Sequence, residues 1–89
     1  MAKSSETAHR GSPEAAFGRV LKAVRESQGV SQEQLGFASG YHRTYISLLE
    51  RGLKSPSLRT IFDLASCLNI QPSELVRRIE RRRSQAAKD

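Results

Sequence analysis

Tryptophan is absent, cysteine occurs once, and acidic residues are outnumbered by basic ones, nine to fifteen. Each scarcity closes a route. The single thiol, Cys67, cannot form an internal disulfide, so no cystine framework holds the fold, and a reducing compartment is expected. No apolar run reaches the ~18 residues that a membrane-spanning helix needs. The first residues, MAKSSETAHRGS, lack the apolar core of a secretory signal, which points to the cytoplasm. Catalytic equipment is missing too. No nucleophile–base pair or glycine-rich phosphate loop is present, and His9, His42 and Cys67 do not have metal-ligand spacing. With 89 residues the chain has room for one domain, a small core and no sizeable pocket. The expectation is a binding module with no metal and no cofactor, not an enzyme.

What the chain does have is positive charge, +6 in all. Placement matters more than the total. Residues 1–12 carry Lys3 and Arg10 against Glu6, a net of +1, and residues 13–76 carry seven basic and six acidic side chains, again +1. Residues 77–89 carry Arg77, Arg78, Arg81, Arg82, Arg83 and Lys88 against Glu80 and Asp89, a net of +4. Bulk charge alone therefore makes no case for nucleic acid.

Residues 1–12 are polar and aperiodic and read as a disordered tail. Ser12-Pro13-Glu14 opens a helix, and Phe17, Val20, Leu21 and Val24 carry its apolar spacing to about Gln28, where Gly29 stops it. Ser31 to Gln34 matches a capping box that opens a second helix, running to about Ser39 with Leu35 and Ala38 inward and Phe37 half exposed. Gly36 inside it costs ~1 kcal/mol of propensity, which a close approach of the next helix would explain. After a turn on Gly40, a third helix starts at His42 or Arg43 and ends at Arg51 before Gly52, with Ile46 and Leu49 inward. Ser57 caps a fourth, whose expected buried stripe is Leu58, Ile61, Leu64, Ala65 and Leu68, with Cys67 a small buried side chain and Asn69 closing it. Gln71-Pro72-Ser73-Glu74 opens a fifth, which buries Leu75 and Ile79 and frays after Arg83. The fold class is all-α: a domain over residues 13–80, followed by a basic tail over 81–89.

Two short helices about three residues apart, with glycine in the turn, have the shape of a helix-turn-helix. At this point the stretch VSQEQLGFASGYHRTYISLLERGLKSPSLRTIFDLASCLNI resembles the phage-repressor and Cro-like (XRE-type) helix-turn-helix regulators, over roughly residues 14–79. The Arg43-Thr44-Tyr45-Ile46-Ser47 run is similar to the recognition helix of restriction–modification controller proteins. The resemblance implies a compact five-helix bundle, the lambda-repressor-like DNA-binding domain, with a recognition helix at about 43–51. It implies base contacts from Arg43, Thr44, Ser47 and Leu48, arginine being suited to bidentate binding of guanine. Leu48 departs from the polar residue common at its position, and either meets a thymine methyl or shields the groove wall. Phosphate contacts are implied for Gln32, Tyr45, Arg51 and Lys54. Arg25 and Glu50 match a partly buried ion pair that locks the third helix against the first.

One such module reads a half-site, and dimers space two recognition helices by about 34 Å. Phe62, Ile70, Val76 and Ile79 are apolar beyond what the core requires and form the candidate dimer interface. The expected function is a sequence-specific transcriptional regulator, a homodimer on a pseudo-palindromic double-stranded operator, blocking RNA polymerase or contacting it. The rival is a helix-bundle interaction module, antitoxin or adaptor, that has lost DNA binding. The arginine run at 81–83 is either a solvated helix end or a source of phosphate affinity.

Overall fold

The computed structural model describes residues 11–88, with side chains to residue 85; most of the expected N-terminal tail, His9 included, lies outside the described residues. Five helices follow one another: α1 (Pro13–Ser27), α2 (Gln32–Ser39), α3 (Arg43–Glu50), α4 (Leu58–Cys67) and α5 (Pro72–Lys88). Among the described residues there is no strand. The starts of α1 to α4 follow from capping chemistry, in which a side chain accepts a backbone N–H that the helix leaves unpaired. Ser12 Oγ accepts from Ala15 N, Ser31 Oγ from Gln34 N and Ser57 Oγ from Thr60 N, each at 3.0 Å. The Ser31 N–H returns a bond of 2.8 Å to Gln34 Oε1, completing the capping box. At α3 the cap is His42, whose Nδ1 accepts from Thr44 N at 3.0 Å.

α1 packs against α3 and α5, α2 against α3 and α4, and α4 against α5. Between them Leu21, Leu35, Ile46, Leu49, Leu64, Leu68 and Leu75 are fully buried, with Phe17, Val20 and Val24 beside them. Ile61, Ile70 and Ile79 are half-buried at the rim of this core.

Several positions differ from the sequence expectation. Ala38 is exposed and Phe37 is 91% exposed, because the inward face of α2 is formed by Leu35 and Gly36, with Ser39 at its edge. Leu58 is 72% exposed: at 100° per residue it lies roughly 120° round α4 from Leu64, and buried Thr60 takes the inward place in that turn. Cys67, at the end of α4, is exposed. The fifth helix does not fray after Arg83 but runs across the expected boundary at residue 80 to Lys88. Once a helix is nucleated each added residue gains a hydrogen bond, and no glycine or proline follows Pro72 to stop it.

Candidate nucleic-acid interface

Two glycines set how closely the helices of the site approach. A Cβ on Gly36 would lie 2.6 Å from Tyr41 O and 3.2 Å from Arg43 N, so the start of α3 sits directly on α2. A Cβ on Gly18 would lie 2.5 Å from both Leu49 O and Glu50 O, so the end of α3 rests on the backbone of α1. The first contact accounts for the glycine that sequence reasoning singled out. The second went unnoticed, although a glycine inside an apolar helical run was the available signal.

At that crossing Arg25 meets Glu50. Arg25 Nε donates to Glu50 Oε2 at 2.6 Å and Nη2 to Oε1 at 2.9 Å, a two-pronged bridge whose side chains are 8% and 3% exposed. Arg25 Nη1 donates to Val30 O at 2.8 Å, and Gln32 Nε2 donates to Glu50 Oε1 at 2.9 Å. The hydrogen bond to Glu50 raises the Arg25 pKa above its ordinary value; burial opposes it, and the charges of Glu50 and Glu26 add to it. α3 is thereby pinned at its far end to α1 and to the start of α2.

Its near end is open. Arg43 and Thr44 are exposed and Ser47 half-buried. With Arg25, Ser31, Gln32 and Glu33 they line one groove of about 490 Å³ between the starts of α2 and α3. Leu48 does not line this groove and is half-buried. Tyr45 is half-buried, its ring centroid 5.3 Å from that of Tyr41. Arg51 and Lys54 are exposed beyond the end of α3. A further link was not foreseen: Tyr41 Oη donates its one proton to Asp63 Oδ2 at 2.8 Å and can accept from Thr60 Oγ1 at 3.3 Å, fastening the turn before α3 to the first half of α4. Of the candidate dimer residues, Phe62 and Val76 are 54% and 47% exposed, while Ile70 and Ile79 are half-buried against the core.

Five helices with a short, buttressed α2–α3 pair and an exposed polar start to α3 define a helix-turn-helix bundle. The helix-turn-helix family model matches residues 21–75, more than half of the chain. The chain belongs to the XRE-type helix-turn-helix family of DNA-binding transcriptional regulators. It is similar to the control protein C.BamHI of Bacillus amyloliquefaciens, 41% identical over 61 residues, which cover 67% of this chain and 75% of that one. Among solved structures, the restriction–modification controller protein C.AhdI from Aeromonas hydrophila is 44% identical with a TM-score of 0.67, covering 68% of this chain and 92% of that one. The clp gene regulator ClgR from Corynebacterium glutamicum has a TM-score of 0.82 at 27% identity, over 86% of this chain and 83% of that one. No helix among the described residues is long and apolar enough to cross a membrane.

Proposed function

We propose that this protein is a cytoplasmic regulator that binds a pseudo-palindromic double-stranded operator as a homodimer, with α3 in the major groove. The observation that carries this reading is the contrast between the two ends of α3. Its last residue is locked by a buried ion pair, while Arg43 and Thr44 stand exposed at its start, beside the groove at the start of α2. A reading helix has to be held rigidly from behind and left open where it meets base edges. Arg43 is suited to guanine O6 and N7, Thr44 and Ser47 to hydrogen bonds with base edges, and Leu48 to a thymine methyl. Tyr45, Arg51 and Lys54 border this face as phosphate partners. The kinship with control and controller proteins supports regulation of transcription, either by obstructing RNA polymerase at a promoter or by contacting it next to one. For the dimer, Phe62 and Val76 offer the exposed apolar surface, and Val76 also edges a cleft of about 240 Å³ with Phe17, Ile61 and Ile79.

A second reading, an interaction module without DNA binding, draws on the fully presented Phe37 of α2. Selection of bound fragments from genomic DNA, followed by mobility shifts, separates the two. On the selected operator, Arg43→Ala should cost ~1–3 kcal/mol and relax preference at one base pair. Lys54→Ala should weaken binding to all sequences alike and lower the salt slope by about one. Unchanged binding by Arg43→Ala refutes its role as a reader, and no enrichment of any fragment favours the interaction module.

A further inference from the structure

We propose that Gln32 acts in operator recognition as a positioning residue working through Glu50, and that its side-chain amide stays on Glu50 instead of gripping a DNA phosphate. The inference rests on the DNA-binding reading above and says how its site is held in shape. Gln32 is the first residue of α2, where a glutamine is well placed to reach a phosphate, and that role is what its position in the chain suggests. The geometry points elsewhere. Its Nε2 donates to Glu50 Oε1 at 2.9 Å, and Glu50 is the last residue of α3. The same carboxylate receives two bonds from Arg25, at 2.6 and 2.9 Å, and its side chain is 3% exposed. Three segments, the end of α1, the start of α2 and the end of α3, therefore close on one carboxylate.

The competition between Glu50 and a phosphate for this amide is unequal. Withdrawn from Glu50, the amide would leave Oε1 to Arg25 Nη2, in a place that water scarcely reaches. A backbone phosphate at the rim of the groove remains hydrated and can accept from water or other donors. The consequence falls on base reading. α2 and α3 pack together at Gly36 and through Leu35, Ile46 and Leu49 in the core, and the Gln32–Glu50 bond adds a polar tie between the start of α2 and the end of α3. That tie helps to set where Arg43 and Thr44 stand relative to the start of α2. Its loss loosens the register of the pair, which blurs base discrimination more than it weakens the general attraction to phosphates.

The test uses the full chain, the selected operator and a random duplex of equal length. Gln32→Met keeps the length and apolar stem of the side chain and removes its donor. It should lower operator affinity about tenfold, the equivalent of ~1.4 kcal/mol, and leave random-duplex affinity unchanged, so that the specificity ratio falls. In a Glu50→Met background the same substitution should have at most a small further effect, because the acceptor it acts through is gone. Should Glu50→Met fail to fold, the nitrogen-15 and proton signals of the Gln32 side-chain amide in the parent protein decide. They should be slow to exchange in the free protein and keep their positions when operator is added. Equal losses on operator and random DNA, or an amide signal that moves onto phosphate on titration, would overturn the proposal while leaving DNA binding intact. A parent protein that enriches no DNA sequence would instead overturn the functional reading, and this proposal with it.

Discussion

Removing Glu50 is the most informative perturbation of this fold, because three donors and three chain segments depend on it. In Glu50→Ala the Arg25 guanidinium keeps Val30 O at 2.8 Å and Glu26 at 3.9 Å, but loses both prongs of its main bridge. With both side chains at least nine-tenths buried, the pair is of the desolvated kind, for which deletion of one partner costs ~3–5 kcal/mol. In a domain of this size each 1 kcal/mol moves the melting midpoint by about 4–8 °C, so the midpoint should fall by at least ~12 °C. Arg25→Ala should be no milder, since it leaves the buried Glu50 carboxylate with the neutral amide of Gln32 in place of a cation. The double replacement Arg25→Met with Glu50→Met should cost far less than the sum, about 1–3 kcal/mol. It strands no charge, and its main debit is the lost partners of Val30 O and the Gln32 amide. Thermal and urea unfolding of the parent, Arg25→Met, Glu50→Met and the double variant give the cycle. Single variants within ~1 kcal/mol of the parent would show that the pair behaves like an exposed one, and additive losses would show no coupling; either result refutes the reasoning.

Three further outcomes can be checked. Gly18→Ala gains ~1 kcal/mol of helix propensity but sets a methyl 2.5 Å from two backbone carbonyls, so the urea midpoint should show net destabilisation of about 1–2 kcal/mol. The Arg78 hydrogen bond, helped by the charges of Arg77, Arg78 and Arg81, holds the Glu74 carboxyl below its ordinary value of 4.5. A depressed folded value means that its contribution is present above the ordinary value and fades as pH falls through the folded one. The parent should therefore lose slightly more stability than Glu74→Gln on acidification below about pH 4.5. The parent should sediment as a dimer at micromolar concentration and Phe62→Glu as a monomer; a parent that stays monomeric with and without operator would refute the dimer.

Much of the site could be read in the chain because it rests on local chemistry. Ser31 and Gln34 cap each other across three residues, Gly40 takes the left-handed conformation with φ of 83°, and Ile46 and Leu49 recur at helical spacing. Such features need only near neighbours, and family likeness added the pairing of Arg25 with Glu50, which lie 25 residues apart. Errors gathered where a residue's fate depends on what covers it. Leu58 and Ala38 fit an apolar pattern, yet neither faces a neighbouring helix, while Thr60 and Gly36 do.

The sequence by itself determined five helices, their starts at capping residues, the turn between α2 and α3, and the exposed arginine at the head of α3. Periodicity and capping act over one or two turns, so they survive without knowledge of the fold. Only the tertiary structure decided that Gly18 is the seat of α3 on α1, that Tyr41 is fastened to Asp63, and that the Gln32 amide donates to Glu50. Each of these depends on atoms brought together from distant parts of the chain. A glutamine at a helix start has the same local chemistry whichever partner it meets, and the partner is set by how the helices cross.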